Sequence, residues 1–162
     1  MPLMFKPNLS ILPPPQLRLL PELDATPEIF TLYGGTALAL RLGHRVSVDF
    51  DFFSNKPFDP DEMYSSIPYL EGTERIQVSK NTLTCRIVRE DAPVLVSFFG
   101  ALGFGQVEPR EQPAEYSFFV ASLLDIAGTK IAVVQKRAEV KDYLDIDALL
   151  LHGIELQTIL AA

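Results

Sequence analysis

Gly34-Gly35-Thr36-Ala37-Leu38-Ala39-Leu40-Arg41-Leu42, followed by Val46-Ser47-Val48-Asp49-Phe50-Asp51-Phe52-Phe53, is the stretch on which the fold turns. The first segment reads as a glycine turn running into a helix with no breaker, and the second alternates polar and apolar residues with the period of a strand. Ahead of both, Phe30-Thr31-Leu32-Tyr33 is an aromatic and β-branched run that reads as another strand, ended by the Gly34-Gly35 turn. The order strand, turn, helix, strand predicts an α/β domain.

On the second segment Ser47, Asp49 and Asp51 fall on one face, while Val48, Phe50 and Phe52 fall on the other and are expected in the core. Same-face residues are about 7 Å apart along a strand, so the two carboxylates can converge on one hard cation. They can equally serve two ions about 4 Å apart, as in two-metal phosphoryl transfer. Magnesium suits such oxygen ligands because it takes few protein carboxylates and leaves positions for water and phosphate. An Asp-x-Asp alone more often solvates the open face of an amphipathic strand, and a glycine turn before a helix is ordinary; the combination predicts a site. Thr36 is expected at the helix cap, where its hydroxyl and the free N–H groups of the first turn suit a triphosphate. Arg45 is a second candidate for phosphate contact, and His44 is expected to close the turn before it.

Further along, Leu123 to Arg137 reads as a helix in which Lys130 interrupts the apolar stretch Ile126 to Val134. A lysine there is costly to bury without a carboxylate or phosphate partner. Arg137 lies seven residues on and nearly on the same face, whereas Lys136 and Lys141 read as solvated. Asp142 and Asp145, one turn apart on the next helix, are placed to hold Lys or Arg partners. Residues 1–15, closed by Pro13-Pro14-Pro15, are expected to form an arm, and 16–162 a single domain opening with a short helix over Gln16 to Leu23. A second helix should end near Ile67, Arg75 to Ser79 and Leu83 to Val88 should form a hairpin, and 100–115 a loop.

Composition narrows the chemistry. A chain of 162 residues with 48% hydrophobic content can bury one sizeable core. The single Cys85 excludes an internal disulfide and a cysteine-based zinc site, and two histidines, His44 and His152, leave carboxylates as the ligands at hand. A net charge of −7 argues against broad nonspecific binding to nucleic acid. The N-terminus lacks a signal-peptide stretch, and the longest apolar run, Val94 to Val107, is broken by Ser97 and glycines, so no membrane segment and a cytoplasmic location are expected.

Gly34-Gly35-Thr36-Ala37-Leu38-Ala39-Leu40, Gly43-His44-Arg45, Ser47, Asp49 and Asp51-Phe52-Phe53 together resemble the AbiEii/AbiGii toxin-type branch of the nucleotidyltransferase superfamily. Asp125-Ile126-Ala127-Gly128-Thr129-Lys130-Ile131-Ala132, with Arg137 and Lys141-Asp142-Tyr143-Leu144-Asp145, looks like the helical block that follows in that family. The resemblance implies a mixed β-sheet flanked by helices, with a helical C-terminal segment. It implies transfer of a nucleoside monophosphate from a magnesium-bound nucleoside triphosphate to a hydroxyl acceptor on RNA or protein, with a cognate antitoxin as a further partner. By position, Asp49, Asp51 and Lys130 would be catalytic and Asp49 and Asp51 the metal ligands. Gly34, Gly35, Thr36, Arg45, Ser47 and Lys130 would bind the nucleotide.

The pattern departs from the family at one place. Members usually carry a third carboxylate on a neighbouring strand, and in Pro93-Val94-Leu95-Val96-Ser97-Phe98-Phe99 the matching position is Ser97. A neutral hydroxyl supplies neither the charge nor the basicity of an acid. Two readings therefore stand: a nucleotidyltransferase, or a catalytically impaired relative that binds nucleotide or a protein partner. A phosphatase of the haloacid-dehalogenase type fits less well, because Phe52-Phe53 replaces the small residues expected after the second aspartate.

Overall fold

The computed structural model describes residues 2–161. Five strands form one mixed sheet: β2 (Thr31–Tyr33), β3 (Phe50–Phe53), β6 (Ala92–Phe99), β5 (Thr82–Arg89) and β4 (Glu74–Ser79), in that spatial order. Only the β3–β6 pair is parallel; the other three pairings are antiparallel. The remaining two strands, β1 (Leu3–Phe5) and β7 (Glu111–Pro113), pair in parallel beside it. Six α-helices complete the described residues: α1 (Pro14–Leu19), α2 (Gly34–Leu42), α3 (Pro60–Ser66), α4 (Leu123–Lys136), α5 (Val140–Leu151) and α6 (Leu156–Ala161). None of these is long and apolar enough to cross a membrane.

Alternation decides which side of the sheet is buried. Phe50, Phe52, Val96, Phe98, Leu83, Cys85 and Ile87 point to one face and are essentially inaccessible. Phe52 stacks on Phe98 with ring centroids 5.6 Å apart, and Phe30 meets Phe98 edge-on at 5.2 Å. Leu38 and Leu40 of α2, also fully buried, join this core. The helix starts at Gly34, whose φ of 79° is open to glycine at little cost, and stops at Gly43, whose N–H reaches Ala39 O at 2.7 Å in a left-handed cap.

Two sequence expectations are revised. The strand predicted over Val46 to Phe53 is a strand only from Phe50, and Val46 and Val48 are 59% and 44% exposed. The ladder ends there because β2 reaches its glycine turn opposite Asp51 and the register with β6 begins at Phe50 opposite Val96. Val46 to Asp49 is held instead from the N-terminal segment: Ser47 N donates to Ile11 O at 3.3 Å and Gln16 Nε2 to Val48 O at 3.2 Å. That segment is laid along the domain, since Ile11 and Leu12 are buried and Asn8 donates to Leu40 O and Arg41 O at the end of α2. The short helix begins at Pro14 rather than Gln16, proline being well accommodated in a first turn.

Phe52→Ala should cost about 3–5 kcal/mol of stability by leaving a cavity in the core, while Val48→Ala should change stability by less than about 0.5 kcal/mol. Urea unfolding of the two variants tests the boundary of β3.

Candidate functional site

The polar face of β3 lies beside the first turn of α2. A Cβ built on Gly34 would sit 3.1 Å from Asp51 Oδ2, so the helix start and the carboxylate share one space. That space is a cavity of about 310 Å³ whose lining includes the eight residues expected to form a nucleotide and metal site: Gly34, Gly35, Thr36, Arg45, Ser47, Asp49, Asp51 and Lys130. No side chain caps α2, whose N-cap residue is Tyr33, so its first-turn N–H groups are left for an anion.

Thr36 is not the cap. It lies inside the first turn, 1% exposed, and its hydroxyl donates to Asp49 O while pairing with Ser47 Oγ at 2.7 Å. Thr36 and Ser47 thus hold the backbone on which Asp49 sits, in place of ladder hydrogen bonds. This role belongs to a buried hydroxyl at a strand entry, which helix-cap statistics do not register.

Behind the cavity is a buried charge cluster centred on Asp145, which is 0% exposed. Its Oδ1 accepts from Arg45 Nε at 2.7 Å and lies 2.6 Å from His44 Nε2; its Oδ2 accepts from Arg45 Nη2 at 2.9 Å and lies 2.8 Å from Lys130 Nζ. Lys130 Nζ also donates to Asp142 Oδ1 at 3.1 Å. Burial alone would raise the pKa of Asp145, but the hydrogen bonds from Arg45, Lys130 and His44 outweigh it and bring the group down to about 2. For Asp142, burial is likewise outweighed by the Glu139 N–H and Lys130, and its pKa is lowered. The carboxylate partners expected on α5 are found, and they take up the Lys130 ammonium. His44, expected to close a turn, is instead part of this cluster; Gly43 makes the turn.

Arg45 gains its position from that cluster. Its guanidinium lies against Gly35, where a Cβ would fall 2.1 Å from Nη2, so the second glycine provides room for a clamped arginine. Lys141, read as solvated, and Arg137 also line the cavity. So do Phe53 and Phe99, whose aromatic side chains carry no charge or ligand signal in the sequence.

The Asp pair stands in the opposite electrostatic condition. Asp51 is pushed up to about 6, first by burial and then by Asp49, against a smaller opposing pull from Lys141 and Lys130. Across the sheet Asp51 is in register with Ser97, and Ser97 with Thr84. Ser97 Oγ and Thr84 Oγ1 are 2.9 Å apart, so the position beside Asp51 holds a hydroxyl pair. Among the described residues no third His, Cys, Asp or Glu joins Asp49 and Asp51.

Comparison with known proteins identifies the family and the fold. Residues 18–162 match the family described as nucleotidyl transferase AbiEii toxin, type IV TA system, and the chain belongs to that family. The chain is 37% identical over 131 residues to the uncharacterized protein aq_aa25 of Aquifex aeolicus (strain VF5), covering 79% of this chain and 61% of that protein's length. A crystal structure of a candidate nucleotidyltransferase from H. pylori superposes with a TM-score of 0.63 at 19% identity, over 88% of this chain and 70% of that one, a likeness of fold.

Opposite pH behaviour follows from the two carboxylate groups. Asp145, depressed in the folded state, contributes stability above about pH 4 that is lost as pH falls toward 2. Asp145→Ala should cost about 3–5 kcal/mol at pH 7, because it strands buried cations, and should flatten that acid limb in a pH series of urea melts. Asp51, raised to about 6, contributes stability that is full below about pH 4 and is lost as pH rises through 6. In chelator-treated protein, Asp51→Asn should therefore be more stable than the parent at pH 7, by about 1–3 kcal/mol, and equal to it near pH 4.

Proposed function

We propose that this AbiEii-family chain is a nucleotidyltransferase that moves a nucleoside monophosphate from a nucleoside triphosphate to a hydroxyl on RNA or protein, as the toxin of a toxin–antitoxin pair with a cognate antitoxin as its partner. The observation that carries the reading is the uncapped start of α2 facing Asp49 and Asp51 across one cavity.

A divalent cation fits this site on its own electrostatics. Two carboxylates crowd together with Asp51 held near 6, and the nearest buried lysine is already committed to Asp142 and Asp145. Asp49 and Asp51 would hold the ion, and magnesium, suited to oxygen ligands, would when bound withdraw charge from the phosphates. Gly34, Gly35 and Thr36 would present backbone N–H groups to those phosphates, with Arg45 and Lys141 at the cavity wall as positive charge. Lys130 supports the site through Asp145, which fixes Arg45. In the reaction the acceptor oxygen bonds to the α-phosphorus, the bond to the β-phosphate oxygen breaks, and pyrophosphate and a proton are released.

A second reading has its own observation. The Ser97–Thr84 hydroxyl pair occupies the place of a third acid and cannot take a proton from the acceptor. It favours a domain that binds nucleotide and turns over slowly or not at all.

Incubating the protein with magnesium and each α-labelled nucleoside triphosphate, then following label into RNA and protein, separates the two. Asp49→Ala should lower transfer by on the order of a hundredfold or more. Nucleotide binding without transfer favours the second reading, and gain of transfer in Ser97→Asp would locate the defect in the missing acid.

A further inference from the structure

A second cavity, of about 630 Å³, adjoins the first, and Phe53, Phe99 and Thr129 line both. The two differ in chemistry. The first is lined by glycine backbone, carboxylates and cations; the second is walled by Phe53, Phe99 and Phe104, with Gly128 and Ala132 of α4 keeping it open. We infer that this aromatic cavity holds the base of the nucleotide whose phosphates occupy the first, with Phe104 as its stacking surface, an inference that rests on the nucleotide reading above.

Three observations carry it. A nucleoside triphosphate is itself polyanionic at one end and a flat aromatic at the other, and the two adjoining cavities, which share Phe53, Phe99 and Thr129, reproduce that order. The rings are fixed in place: Phe53 stacks on Tyr33 at 5.0 Å and meets Phe99 and Phe104 edge-on at 5.6 and 5.8 Å. Phe104 is nevertheless 38% exposed, which leaves ring surface free for a ligand. The loop that carries Phe104 is tied down by a buried carboxylate. Asp125 Oδ1 accepts from Val107 N at 2.8 Å, and its Oδ2 accepts from Glu108 N at 3.1 Å and Ser122 Oγ at 2.7 Å. Asp125 is thus a positioning residue for the aromatic wall, and Gln106, on the same loop, lines the cavity with an amide group. Stacking accepts any base, so the pocket selects nucleotide over bare polyphosphate more strongly than one base over another.

The chain has no tryptophan, so Phe104→Trp creates a single fluorophore on the proposed stacking surface. With magnesium present, nucleoside triphosphates should quench its emission, whereas tripolyphosphate, binding through the phosphate site alone, should not. By calorimetry Phe104→Ala should weaken nucleoside triphosphate binding about tenfold or more and leave tripolyphosphate unchanged, and Phe104→Tyr should retain the parent affinity. Nucleoside triphosphate affinity unaltered by Phe104→Ala, or lost equally in Phe104→Tyr, overturns the base site while leaving the phosphate site standing, as does an effect seen only on the acceptor. Failure of both tripolyphosphate and nucleotides to bind the parent protein removes the nucleotide reading itself, and the base site with it.

Discussion

The structure depends on one buried carboxylate. Asp145 has no contact with water and gathers His44, Arg45 and Lys130, which come from the α2–β3 connection and from α4. Such a group is tolerable only when its partners are all present, because each buried charge left alone costs several kcal/mol. That requirement fixes three elements at once: α5 must lie against α4, the connection after α2 must fold back, and Arg45 must rest over Gly35. The cavity in front of the cluster is shaped by these constraints as much as by the sheet.

Against that neutralised cluster stands the Asp49–Asp51 pair, which makes no ion pair among the described residues and feels Lys141 and Lys130 only at a distance. The contrast separates the carboxylates that hold the fold from the pair proposed to hold a cation. Where cations answer the charge, the carboxyl is held near 2; where burial and a second carboxylate act together, it is held near 6. The second condition destabilises the fold and persists at a site suited to added positive charge.

Much of this was legible in the residues. Gly34-Gly35-Thr36 announced a turn and a helix, Asp51 a strand, and all eight residues assigned to the site line one cavity. Ser97 was placed beside the aspartates by the family pattern, and the sheet puts it in register with Asp51; alternation alone fixes only its face, since a shift of two residues would bury Val96 and Phe98 equally well. What escaped was set by neighbours distant in the chain. The alternation at Val46 and Val48 continues past the end of the ladder, and only the partners of β3 determine where pairing stops. The roles of Thr36 and His44 follow from what happens to lie opposite them, and the aromatic wall from a loop whose glycines and prolines carry no periodicity.

The cluster also imposes an order in time. Arg45 and Asp145 are 100 residues apart, so a chain emerging from a ribosome exposes its glycine turn and its aspartate pair long before the carboxylate that steadies them exists. Until α5 has been made and has docked, Arg45 and Lys130 have no anchor and the cavity has no back wall.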